Sequence, residues 1–313
     1  MKGIDLARSY FYEYGEPMLR ENFSDYLPYI AIGLVGSGSE CLGYDDEIST
    51  DHDFEPCFCI FIPDEDIIDS KTEFALERAY AKLPKEYMGY CRSPLSPVGA
   101  RRHGVIRLSS FLQEKIGSRD ANLSSDDWFA LPDYTLAEVT GGEIFMDDGG
   151  TFTSIRERLR RMPTDVRLKK LAGNLLLMAQ SGQYNYLRCI SRGETGAAQL
   201  AAIEFVKSVM QTIFLLNERY MPYYKWTFRA LRELPKFSEL SYSLEYIISS
   251  ENNKETSVLK YDMIEDISSL LIAELKAQNL SDAICGDLEK HAYSVNDKIS
   301  DSSIRNKNIL YAV

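Results

Sequence analysis

Between Gly36 and Glu55 the chain sets down two groups of residues suited to holding a phosphate and a metal ion. Gly36-Ser37-Gly38-Ser39 allows a tight turn and offers free backbone amides and hydroxyls as donors. After a thirteen-residue spacer from Ser37 come Asp51, Asp53 and Glu55 at alternate positions. In a strand, alternate side chains share a face, so these carboxylates would project together while His52 and Phe54 face the other way. Clustered carboxylates repel one another unless a cation lies between them. Hard oxygen ligands suit Mg²⁺, which is commonly held by one or two carboxylates together with substrate phosphates. The expectation is a pocket for a metal-bound nucleoside triphosphate, with His52 making a structural hydrogen bond.

Two strands must position these groups. Ile30-Ala31-Ile32-Gly33-Leu34-Val35 is a short apolar run of the kind buried on both faces of a sheet, and it delivers Gly36-Ser37 at its end. A second strand is expected to open with Asp51-His52-Asp53 and run to Ile62. Before them, Leu6, Tyr10, Phe11 and Tyr14 predict a helix within residues 2–22, ended by Gly15 and Pro17. After them, Asp64 to Tyr80 predicts a helix that opens on acids, and His103 to Ser109 predicts a third strand. The acidic loop Asp45-Asp46-Glu47 lacks the glycine and final glutamate of a calcium loop and is expected to fold over the nucleotide.

Gly36-Ser37 followed by Asp51-x-Asp53 in an apolar strand resembles the signature of the nucleotidyltransferase superfamily that includes polymerase β and the aminoglycoside nucleotidyltransferases. GSGSECLGYDDEISTDHDFEP is more similar still to the bacterial DUF4037 family, regarded as nucleotidyltransferase-like. LPDYTLAEVTGGEIF, SGQYNYLRCISRGE and LNERYMPYYKWTFRAL fit that family too, so the resemblance covers roughly the first 240 residues. It implies an α+β fold: an N-terminal nucleotidyltransferase-type mixed sheet with flanking helices, then a C-terminal all-α helical bundle. It also implies Mg²⁺, with Mn²⁺ as a substitute, at Asp51 and Asp53, and ATP or another triphosphate gripped by Gly36, Ser37, Gly38 and Ser39. In that superfamily a third acid sits on a strand such as His103–Ser109. Here Ile106 and Arg107 stand there, so the candidate replacement is Glu55 or an acid of the second half, and Arg107 is either a triphosphate contact or a solvated strand-edge arginine.

The chain of 313 residues has 45% hydrophobic residues and a formal charge of −12. Such a chain can bury a full core without staples, and its charge repels polyanions, which excludes nucleic acid as the expected partner. The six cysteines are scattered and read as buried small apolar thiols, Cys57 and Cys59 included, which points to a reducing cytoplasm. No leader pattern is expected at the start, and no later run is expected to reach membrane-spanning length.

From about Thr153 the texture turns helical, and a domain boundary is expected near Gly149-Gly150, giving a catalytic unit of residues 1–150 and a helical substrate-binding unit of residues 151–313. Helices are expected over Thr164 to Ile190, interrupted by Gly182 at modest cost, and over Gly196 to Tyr220, with a further one from Lys225-Trp226 and two or three between Tyr242 and Asn296. In antibiotic-modifying relatives a glutamate and a lysine of such a bundle activate the acceptor and hold phosphates. Glu194 or Glu204, and Lys225 or Lys207, are the candidates, with a solvated face as the alternative for each. Tyr184, Asn185, Tyr186 and Arg188 either line a base or acceptor pocket or satisfy one another at a helix crossing.

The expected activity is transfer of NMP, AMP from ATP, to a hydroxyl of a small-molecule or protein acceptor. The alternative is a nucleotide-binding sensor or interaction module without turnover, favoured by the absent third acid.

Overall fold

A computed structural model of the chain describes residues 1–48, 54–92 and 103–313. Asp51, His52 and Asp53 therefore lie outside the described residues. The fold is α+β and falls into two units, Met1–Leu123 with Asp133–Arg161, and Ser124–Pro132 with Met162–Val313. The change of unit comes after Arg161 rather than at Gly149-Gly150, because the helix Thr151–Leu159 turns its Phe152 back onto Phe61 of the sheet, with ring centroids 4.7 Å apart.

The first unit is built on a mixed sheet of strands β1 (Ala31–Leu34), β2 (Cys59–Ile62), β5 (Gly104–Arg107) and β6 (Glu143–Met146), ordered β5-β2-β1-β6. A separate two-stranded sheet joins β3 (Glu86–Tyr87) to β4 (Tyr90–Cys91). β1 runs antiparallel to β2 and β6, whereas β2 and β5 are parallel, with Cys59 opposite Gly104. β1 and β2 are buried along their whole length, as their apolar sequences require.

The second strand is shorter than its sequence suggests. Residues 54–58 are irregular, and ladder pairing starts only at Cys59. Glu55 thus lies outside the strand. Alternating polarity made Glu55 look like part of a strand, but a strand also needs a neighbour for its backbone groups.

The N-terminal segment stays helical to Asn22, past Gly15 and Pro17. A widened π turn, Phe11–Gly15, places Pro17 in the first turn of the next helical segment, where its missing N–H costs nothing. The helix expected from Asp64 begins instead at Ser70, because Asp69 caps it by accepting from Thr72 N–H at 2.8 Å.

The second unit is helical throughout. Thr164–Met178 continues through a π segment, Ala179–Tyr186, into Leu187–Ser191. Thr195–Leu216, Tyr224–Leu231, Leu240–Ser249, Lys254–Ala277 and Leu288–Asp297 are its other long helices. Lys254–Ala277 starts where it does because Asn253 caps it, accepting from Glu255 and Thr256 N–H. Trp128 and Phe129 are core residues of this second unit, where Phe129 meets Tyr311 edge-on.

One sequence expectation is corrected here. Among the described residues, the helix Thr195–Leu216 is long and apolar enough to cross a membrane by length and composition alone. Of its apolar window 61% is buried inside the fold, the position of a core helix.

Candidate functional site

Beyond β1 the chain turns sharply through Gly36 (φ 125°) and Gly38 (φ 138°), backbone angles that L side chains rarely adopt. A Cβ on Gly38 would also come within 2.4 Å of Glu40 Oε1, so the corner admits only glycine without rearrangement. The corner opens on a cavity of about 410 Å³, also lined by Glu40, Glu55, His103, Arg107 and Lys115. Its walls come from the end of β1, the segment before β2, and β5 with the helix Leu108–Ile116.

Lys115, in the last turn of that helix, donates from Nζ to Ser37 Oγ at 3.2 Å and to Glu138 Oε2 at 2.8 Å. The Lys115 and Glu138 side chains are only 16% and 18% exposed, so solvent screens this pair less than a surface one. A hydroxyl, an ammonium and a glycine corner together make a donor set for anionic oxygens. The Glu40 carboxylate stands beside the same corner. An incoming polyphosphate would meet that negative charge, which a divalent cation bound with it would offset.

Arg107 lines the cavity, but its hydrogen bonds lead elsewhere. Nη1 donates to the Pro63 and Ile68 carbonyls at 2.8 and 3.2 Å, and Nη2 to Glu73 Oε2 at 2.5 Å. Its guanidinium ties β5 to the helix Ser70–Lys82 rather than reaching toward Ser37.

Glu55 packs against His103, with Oε1 and Nδ1 3.3 Å apart and both side chains 10% exposed. Cys57 joins them, and one donor atom from each of the three lies within 4.8 Å of the others. Cys41, Cys57 and Cys59 are buried, as expected, whereas Cys91 and Cys285 are exposed and Cys189 is half-buried, against the reading of all six as buried thiols. Burial holds the Cys57 thiol well above its ordinary pKa and pushes that of Cys59 up to about 12.

The candidates of the helical half lie in the second unit. Glu204 and Lys207 pair with each other at 3.4 Å on an exposed face. Glu194 is the residue before Thr195–Leu216, and Lys225 Nζ lies 4.9 Å from the Trp226 ring centroid. Tyr184 and Arg188 stack at 4.7 Å, whereas Tyr186 is buried and donates to Asn252 Oδ1. The polar cluster therefore divides between the surface and a helix crossing.

Lys115, Glu40, Cys57 and His103 were not legible as members of one site. Lys115 is 78 residues from Ser37, and no local spacing signals that approach.

Residues 128–227 match a family model described as a domain of unknown function, DUF4037. Searches of curated proteins and of solved structures each found no match.

Proposed function

We propose that the cavity beside Gly36-Ser37 binds a nucleoside triphosphate with divalent cations and that the protein transfers NMP, AMP in the case of ATP, to a hydroxyl of a small-molecule or protein acceptor. The observation that carries this reading is the Lys115 ammonium on the Ser37 hydroxyl at a glycine corner facing a cavity of about 410 Å³. Its volume is in the range of small-ligand sites. The Ser37 hydroxyl, Lys115 and the amides around Gly36 and Gly38 would hold the β- and γ-phosphates and stabilise pyrophosphate as it departs. Asp51 and Asp53, which lie outside the described residues, would hold Mg²⁺ or Mn²⁺, whose charge would offset that developing on the phosphates. Much of the remaining acceleration would come from alignment of acceptor and phosphorus.

The reading is tested by calorimetry with Mg-ATP and by release of pyrophosphate from labelled ATP in the presence of acceptors. Asp51→Asn with Asp53→Asn should lose metal-dependent binding. Unchanged Mg-ATP affinity in that double variant would sink the proposal.

One observation favours a second reading, a nucleotide-binding module without turnover. β5 carries Ile106 and Arg107 where a third acid would stand, and Arg107 is committed to Glu73. Glu55 is the alternative acid, and it faces His103. Tight Mg-ATP binding without pyrophosphate release across a broad acceptor set would select this reading.

A further inference from the structure

Three donors lining the cavity differ in kind from the oxygen set that suits Mg²⁺. We propose that Glu55, Cys57 and His103 form a zinc site whose fourth position opens to the cavity.

One of the three donor spacings already matches that of a bound ion. With Zn–N, Zn–O and Zn–S bonds of about 2.0–2.3 Å, tetrahedral ligand atoms lie roughly 3.3–3.6 Å apart. His103 Nδ1 and Glu55 Oε1 are 3.3 Å apart, and all three donor atoms fall within 4.8 Å of one another. Binding would draw the Cys57 thiol in to that spacing.

Donor type then selects the metal. Imidazole with thiolate suits zinc, whereas Mg²⁺ and Ca²⁺ take oxygen ligands. Charge agrees: one carboxylate and one thiolate balance a divalent ion, so the buried site carries no net charge. On binding, Cys57 gives up its proton to solvent and the sulfur lone pair goes to zinc, so affinity rises with pH.

Two surroundings support the assignment. The Tyr80 ring neighbours the His103 ring, with 6.3 Å between centroids and 28° between planes. All three donors also line the cavity, so the fourth position faces it rather than packed core. Zinc sites with three protein ligands keep such an opening for water or a substrate oxygen.

The test uses the full chain with Cys91, Cys189 and Cys285 changed to Ser, which removes the exposed and half-buried thiols, after chelator treatment and without nucleotide. Titration with Co²⁺ should give one equivalent per chain, a thiolate-to-cobalt absorption band in the near ultraviolet, and loss of that band on adding zinc. Cys57→Ser should abolish the band, and His103→Gln should weaken binding by more than roughly 100-fold, the upper range for losing only an outer-shell partner. Cys59→Ala should keep both. Lys115→Met, expected to impair triphosphate binding, should leave the cobalt band intact, so this proposal and the nucleotide reading fail separately. No band in the folded protein, or a band that survives Cys57→Ser, overturns the site. Should the Cys57 and His103 variants not fold, X-ray absorption on the zinc-loaded background protein decides: one sulfur at about 2.3 Å is required, and a shell of nitrogen and oxygen alone overturns the proposal.

Discussion

Lys115 Nζ lies 3.2 Å from Ser37 Oγ, bringing a cation from the end of one helix to the glycine corner that follows β1. Its second bond, to Glu138, keeps the ammonium oriented. Lys115→Met should weaken Mg-ATP binding by about 1.5–3 kcal/mol, roughly 10- to 100-fold, the range for a hydrogen bond to a charged group. Calorimetry checks this, and an unchanged affinity would remove Lys115 from the phosphate site.

Arg107 should behave oppositely. Its guanidinium bonds to Glu73 and two carbonyls hold β5 to its neighbours. Arg107→Gln is expected to lower stability by about 1–3 kcal/mol in urea titrations while leaving Mg-ATP affinity within roughly twofold. A large affinity loss at unaltered stability would instead make it a phosphate ligand.

At Gly38 the backbone stands at φ 138°, ψ 149°, a region open almost only to glycine. Gly38→Ala should cost about 1–3 kcal/mol, read from the urea midpoint. Adding Glu40→Ala removes the contact with the new methyl but not the backbone strain, so most of the loss should persist in the double variant.

Gly182 is more than an interruption of its helix. A Cβ there would approach Phe205 Cδ2 at 2.4 Å and Ile264 Cγ2 at 2.9 Å. Gly182→Ala, favourable by helix propensity alone, is therefore expected to destabilise by about 1–3 kcal/mol through overpacking. A stabilised variant in thermal unfolding would contradict that packing.

Alkaline pH should destabilise the first unit of the metal-free protein. Burial raises the pKa of Cys57 and Tyr80 well above their ordinary values and that of Cys59 from 9.0 to about 12. Between those pH values the folded chain keeps protons that the unfolded chain loses, so stability is fully present below about 9 and falls as pH rises toward 12. Urea midpoints measured from pH 8 to pH 10.5, both outside the acid range of any carboxylate, should decline, and more gently in Cys59→Ala. Equal slopes in the two proteins would show that Cys59 does not contribute.

Local sequence determined the elements whose signals are local. The apolar run around Ile32 made a buried strand, Gly36 and Gly38 made its corner, and the apolar spacing of Thr164–Met178 and Thr195–Leu216 made core helices, because backbone preference and burial periodicity act over a few residues. The tertiary structure decided what meets across the chain. Parallel pairing of β2 with β5 set His103 beside Glu55 and Cys57, the helix Leu108–Ile116 carried Lys115 to Ser37, and the helix Ser70–Lys82 took Arg107 through Glu73. Such meetings depend on which backbones find hydrogen-bond partners and which faces are buried together. The same rule shortened β2: alternating acids and apolar residues describe a strand's faces, but only pairing with β1 and β5 from Cys59 onward made one.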